Sequence, residues 1–217
     1  MQINQKKMSN KAKFITIEGT EGVGKTTNIE YILNYMNENS IESIVTREPG
    51  GTDNAEKIRD ILLNSSDEKV PEIAELLLFF SARSFHASNL IIPALQNGKS
   101  VICDRFTDAT IAYQGYGRGF NVSQINMLSK WVLKDLKPDI TILLDAPADI
   151  GMQRTMSRGY SDRMESEDIS FYERVREGYL NLAYEDPERF LVIDATQSLQ
   201  DVQEDIKNHL DSLFQIA

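Results

Sequence analysis

Apolar residues fall along this chain in two alternating rhythms. Short, continuous, β-rich apolar runs occur at 14–17, 44–46, 101–103, 140–144 and 190–193. Between them apolar residues recur at helical spacing. Ile29, Ile32, Leu33 and Met36 stand at i, i+3, i+4 and i+7, which lays one stripe along a helix. Ile58, Ile61 and Leu62 repeat the stripe, as do Ile125, Leu128 and Val132. Pro71 opens a Leu- and Phe-rich stretch with Leu76, Leu77 and Phe80 that reads as a long, well-buried helix. Lys137-Pro138 ends another, because a proline disfavours helical backbone just before it. Strands alternating with helices predict an α/β, doubly wound domain: five parallel strands covered on both faces. Ligands of such sheets bind beyond the carboxyl ends of the strands. Those ends carry Glu18-Gly19, Arg47-Glu48, Asp104-Arg105 and Asp145.

Composition narrows the class. The 217 residues are 41% hydrophobic and 26% charged, ordinary for a globular chain. The polar residues 1–12 read as a disordered tail, and 13–217 as one domain. Twenty-three basic against 33 acidic residues give a net charge of −10. That balance argues against nucleic acid as a partner, since its phosphates are bound by Lys and Arg. A local basic pocket for a small anion remains compatible with it. The longest uncharged apolar stretch, 76–82, is far short of the ~20 residues that span a bilayer, so no membrane partner is expected. The single cysteine, Cys103, cannot form an internal disulfide and fits a reducing cytoplasm. Within the run Ser100-Val101-Ile102-Cys103 it reads as a small buried strand residue.

One motif carries definite chemistry. Gly19-Thr20-Glu21-Gly22-Val23-Gly24-Lys25-Thr26 matches G-x-x-x-x-G-K-[ST] at every fixed position, between a strand and a helix as the motif requires. Its glycines turn successive backbone N–H groups toward a phosphate, and the helix N-terminus adds partial positive charge. Lys25 would neutralise β- and γ-phosphate oxygens, and the Thr26 hydroxyl would ligate Mg²⁺. This predicts a nucleoside triphosphate site for either a kinase or a GTPase-type switch. The switch needs N-K-x-D for guanine, and the only Asn-Lys, at Asn10-Lys11, precedes the loop and lacks the aspartate.

A kinase needs a second anion site. Arg47 and Arg105 sit at strand ends, where each is either a phosphate ligand or a surface ion pair. Asp104 is placed to hold a water on the metal. Phe79 and Arg83, four apart, share a helix face. They could stack on and read a base, or be a core ring beside a snorkelling guanidinium. Tyr113-Gln114-Gly115 opens a Gly-rich segment, ending in Gly117-Arg118-Gly119, that reads as a loop. Arg154, Arg158 and Arg163 flank a polar stretch that reads as a lid or a solvated loop, the lid covering about 158–166.

Taken together, these strings resemble a bacterial thymidylate kinase from residue 14 onward. The matching segments are 18–27, 46–52, 78–83, Asp104-Arg105, 112–119 and 158–163. Thr-Arg-Glu-Pro-Gly-Gly-Thr and Ala-Tyr-Gln-Gly, in order with the P-loop, are specific to that family. The resemblance implies a P-loop kinase fold, usually a homodimer, that transfers the γ-phosphoryl of ATP to dTMP with Mg²⁺, giving dTDP for dTTP synthesis. It implies dTMP-phosphate binding by Arg47 and Arg105, base stacking by Phe79 and base reading by Arg83. Thr110 falls where the thymine edge is bonded, Tyr113 where the sugar's 2′ carbon packs, and Gln114 at a base contact. Because the P-loop reads Glu21-Gly22-Val23, with no arginine, the chain resembles the type whose extra basic group lies in the lid, and Arg158 matches it. Glu21 matches the acidic P-loop residue near the dTMP sugar. The expected catalytic set is therefore Lys25, Arg105, Arg158 and Glu21, with 19–26 around ATP and with Thr26 and Asp104 at the metal. Phe106 departs from the Tyr or His common after Asp-Arg.

Overall fold

The structure is a computed structural model that describes residues 12–64, 69–156 and 167–216. Five parallel strands form one sheet in the order β2-β3-β1-β4-β5: β1 (Phe14–Glu18), β2 (Ser43–Arg47), β3 (Ser100–Asp104), β4 (Ile140–Asp145) and β5 (Phe190–Asp194). The central strand β1 is buried at all five positions, and β3 and β4 are nearly so. Layers on both faces leave no solvated side, so these strands are continuous rather than alternating apolar runs. The edge strands β2 and β5 each expose residues.

Helices α1 (Lys25–Glu38) and α9 (Leu199–Phe214) cover one face: Ile29, Ile32 and Met36 pack with Val202, Ile206, Leu210 and Phe214 against β1 and β4. On the other face lie α3 (Glu72–His86) and α8 (Ile169–Glu185). α3 runs through a π-helical stretch, Ala87–Ile91, into α4 (Ile92–Gln96). After β3 the short α5 (Thr107–Thr110) passes into a second π-helical stretch, Ile111–Gly117, which packs along α8. The remaining helices are α2 (Asp53–Leu63), α6 (Val122–Leu133) and α7 (Ala148–Met156). α6, α8 and α9 start at Asn121, Asp168 and Ser198, whose side chains accept first-turn N–H groups.

Two expectations change here. The Gly-rich segment after Tyr113 is π-helical rather than a loop. Its backbone stays hydrogen-bonded, Gly115 packs on Ile125, and Gly117 lies so close to Phe171 that a Cβ would fall 2.6 Å from the ring. The α3 stripe is only half-covered: Leu76 and Phe80 are buried, but Leu77 is 48% exposed and Ile73 56%. With Ile61 on α2 and Met127 and Trp131 on α6, they leave apolar surface on a side of the molecule that no described residue covers.

Register aligns the strand ends. Arg47 pairs with Asp104, and Asp104 with Ile17. The sequence therefore delivers its polar residues to one rim.

Candidate active site

The P-loop follows β1 directly. Gly24 closes it in the left-handed region, φ 92°, and α1 starts with no side-chain cap. Its first N–H groups therefore await an anion. Gly22, at φ 73°, lies against α7 so closely that a Cβ would fall 2.1 Å from the Gly151 carbonyl oxygen. Backbone meets backbone there, which fixes the loop from outside. Lys25 folds back on the loop, Nζ donating to the carbonyls of Thr20 (2.7 Å) and Gly19 (3.1 Å). Burial lowers its pKa to about 8, helped by the positive Arg105 and opposed by Asp104, Glu21 and Glu18. Thr26 is exposed on the first turn. Two polar atoms nearby, Thr20 Oγ1 and Asp104 Oδ1, are buried without a partner.

Beside the loop, one cavity is lined by Glu21, Arg47, Phe79, Arg83, Arg105 and Tyr113, with Asp104, Thr110 and Gln114. Arg105 stands at φ 65°, a conformation a non-glycine residue adopts only when its surroundings impose it. Those surroundings are explicit. Its N–H donates to the Ile17 carbonyl at 3.0 Å, and its own carbonyl accepts from Cys103 Sγ at 3.0 Å. Its guanidinium donates to Glu21 Oε1 (2.7 Å), contacts Tyr179 Oη (3.4 Å) and lies 4.8 Å from the Tyr113 ring centre. Tyr113 donates its hydroxyl to the other Glu21 oxygen at 2.6 Å. Glu21 thus joins the P-loop to the cavity.

Deeper in, Arg83 is 2% exposed. Its Nε donates to Glu48 Oε2 at 2.6 Å, and its Nη2 to Thr110 Oγ1 at 2.8 Å and the Phe106 carbonyl at 3.1 Å. Nη1 alone is buried and without a partner. Gln114 donates to Glu75 on α3 at 3.0 Å, where Arg118 also pairs. The strand order puts β3 between β2 and β1, so Arg47 reaches the cavity from the sheet edge rather than facing the P-loop, and it pairs there with Glu56 at 3.0 Å.

The predicted residues thus converge. Arg158 and Arg163 lie outside the described residues, as does the lid expected at 158–166. Arg154, before that stretch, is on α7 and donates to the Ala195 carbonyl at 3.2 Å. Among the described residues no cluster of three or more His, Cys, Asp or Glu is arranged to hold a metal. No helix among them is long and apolar enough to cross a membrane.

Sequence reasoning placed Glu18 and Glu48 at the strand ends without a role, and passed over His86 and Tyr179. Glu18 is wholly buried at the end of β1 and accepts from the Phe106 N–H (2.7 Å) and the Tyr179 hydroxyl (2.8 Å). Burial, with Asp108 nearby, raises its pKa to about 7 against the opposing pull of Arg105 and these hydrogen bonds. His86 had a readable signal, three residues after Arg83 on one helix face. Tyr179 had none, since it comes from α8, 74 residues beyond Arg105.

Comparison with known proteins gives the family. Residues 17–206 match the family model of thymidylate kinase. A thymidylate kinase of Pseudomonas putida is 49% identical over 193 residues, 89% of this chain and 92% of that protein. One of Teredinibacter turnerae is 50% identical over 202 residues, 93% and 98% of the two. The crystal structure of thymidylate kinase from Ehrlichia chaffeensis superposes with a TM-score of 0.73 at 36% identity, covering 92% of this chain and 98% of that one. Related to these proteins over nearly its whole length, the chain belongs to the thymidylate kinase family and phosphorylates dTMP to dTDP with ATP as donor.

Proposed function

We propose that the cavity beside the P-loop is the dTMP site and that its residues divide by the part of dTMP they meet. The observation that carries this is the gathering of Glu21, Arg47, Phe79, Arg83, Arg105 and Tyr113 around one cavity at the strand ends. The base stacks on Phe79 and takes the free Arg83 Nη1, with Thr110 and Gln114 along its edge. The sugar packs on Tyr113 beside Glu21. The phosphate lies between Arg47 and Arg105. ATP places its triphosphate on 19–26.

Mg²⁺ fits the residues present: the Thr26 side chain is exposed on the first turn of α1, and the buried, unpartnered Asp104 Oδ1 could hold a metal-bound water. Bound there, it supplies charge neutralisation at the transferring phosphoryl.

The acceptor oxygen of dTMP is already anionic, so no general base is needed. The protein's task is to hold two repelling anions in line and to meet the negative charge of the transition state. Lys25 and Arg105 meet it from the described residues. Arg158, from the sequence alone, meets it on the donor side. The exposed Ile61, Ile73, Leu77, Met127 and Trp131 support a homodimer formed over α2, α3 and α6. The lone Cys103, buried and free, suits a cytoplasmic protein.

The test is steady-state kinetics of Arg83→Ala with ADP release as readout. A buried hydrogen bond from a charged group contributes ~1.5–3 kcal/mol, so the dTMP KM should rise about 10- to 100-fold with little change for ATP. An unchanged dTMP KM would remove Arg83 from the acceptor site.

A further inference from the structure

We propose that His86 is a positioning residue for the acceptor base: by holding Glu48 it aims Arg83. The inference rests on the reading above that Arg83 meets the base. Three wholly or nearly buried side chains stand in a row. His86 is 0% exposed, Glu48 5% and Arg83 2%. One Glu48 oxygen takes Arg83 Nε at 2.6 Å; the other takes His86 Nδ1 at 2.9 Å. His86 Nε2 lies 2.7 Å from Thr46 Oγ1. A carboxylate only accepts, so Nδ1 carries the hydrogen given to Glu48, and Nε2 bonds the Thr46 hydroxyl.

The geometry explains why the last link matters to the first. A guanidinium is a rigid planar fork, so fixing Nε and Nη2 fixes where Nη1 stands. Nη2 is tied to Thr110 and Phe106, and Nε depends on Glu48 alone. A carboxylate with one free oxygen pivots about its side-chain torsions; with the second oxygen held by a buried ring it does not. That ring is packed as well as bonded. A Cβ on Gly51, at φ 86°, would fall 2.6 Å from the imidazole and 2.5 Å from Thr46 Oγ1. Only glycine lets the loop after Arg47 lie on this pair. One histidine therefore ties the end of β2 and the loop after Arg47 to the guanidinium that faces the base.

The test uses the full-length enzyme, measuring dTMP KM, ATP KM and melting temperature for Arg83→Ala and a set of His86 variants. His86→Leu removes both bonds and should raise the dTMP KM about tenfold, the scale of one charge-assisted hydrogen bond, with the ATP KM unchanged. Asparagine places its amide nitrogen near the Nδ1 position, so His86→Asn should keep a dTMP KM close to wild type. Glutamine reaches toward the Nε2 position, so His86→Gln should behave like His86→Leu. In an Arg83→Ala background His86→Leu should add nothing to the dTMP KM, because its route is already cut. A lowered melting temperature with unchanged dTMP KM, both KM values rising together, or an equal effect in the Arg83→Ala background would each overturn the proposal. Should His86→Leu not fold, the Asn and Gln pair decides: equal dTMP KM values sink it. Failure of Arg83→Ala itself to change the dTMP KM would instead overturn the acceptor-site reading.

Discussion

On the acceptor side of the cleft, charged side chains already hold one another. Glu48 grips Arg83 and His86, Glu21 grips Arg105 and Tyr113, and Glu75 grips Gln114 and Arg118. On the P-loop side the groups that would meet phosphate are backbone N–H groups and one lysine turned onto the loop's own carbonyls. The first arrangement forms on folding and is costly to disturb: breaking a buried ion pair typically costs 3–5 kcal/mol because a charge is left alone. The second is completed by the ligand. A base and a deoxyribose must be told from near relatives, which needs donors held at fixed angles. A triphosphate needs only concentrated positive charge, which a loop and a helix end supply whatever the side chains around them. Acceptor-side substitutions should therefore move specificity and stability together, and donor-side substitutions should move rate alone.

Arg158 should show the largest effect. With no arginine in the P-loop, donor-side charge in the transition state must be met from elsewhere in the sequence. A group used only there lowers kcat and leaves the ATP KM nearly unchanged when removed. Arg158→Ala should cut kcat by about 10²-fold, by analogy with other charge-stabilising donors, with an unaltered melting temperature. A near-wild-type kcat, with a large loss in Arg163→Ala, would move the role to Arg163. Wild-type rates in both would leave Lys25 and Arg105 as the chain's own positive charges.

Tyr113 should show a smaller change, of a different kind. Its ring lies under Arg105, and its hydroxyl is bound to Glu21. Tyr113→Ala opens space beside the sugar and should raise ribonucleotide turnover relative to dTMP by about tenfold, the scale of one filled or emptied contact. Tyr113→Phe keeps the ring, loses the bond to Glu21, and should retain the sugar preference. Equal discrimination in wild type and Tyr113→Ala would detach the tyrosine from sugar choice.

These two predictions differ in how much of their basis was readable in the sequence. The P-loop is contiguous, so Gly19 to Thr26 could be read directly, and continuous apolar runs gave all five strands to within a residue or two. Phe79 and Arg83 were readable as a helix pair. What escaped were partners brought in by topology. Tyr179 comes from α8 and Glu75 from the start of α3. Both meet the site through packing of helices onto the sheet, which no local spacing records. The π-helical stretch around Tyr113 was misread for a related reason. Its glycines mimic a loop, yet at Gly117 the ring of Phe171 comes too close for a Cβ, and Gly115 packs tightly on Val122 and Ile125 of α6.

Glu18 stands at the joint between the two sides, and the effect expected there is the smallest. It ends β1 just before the P-loop, yet its oxygens hold the Phe106 N–H and Tyr179, and so frame Arg105. Burial first, and Asp108 second, lift its pKa from 4.5 to about 7. The folded protein thus keeps a proton that the unfolded chain releases above pH 4.5. Where the folded state binds more protons, stability falls as pH rises. The loss accrues between pH 4.5 and 7 and is complete above that window. Glu18→Gln does not titrate, so its melting temperature should gain on wild type as pH rises from 5 to 8, by roughly 5 °C for a chain of this size. The neutral amide also shifts the baseline, because it must donate to Tyr179 where the carboxylate accepted. That offset is the same at every pH, and the slope between the two melting curves isolates the proton. A difference that stays constant from pH 5 to 8 would mean that Glu18 ionises as an ordinary carboxylate, with the positive charge of Arg105 outweighing its burial.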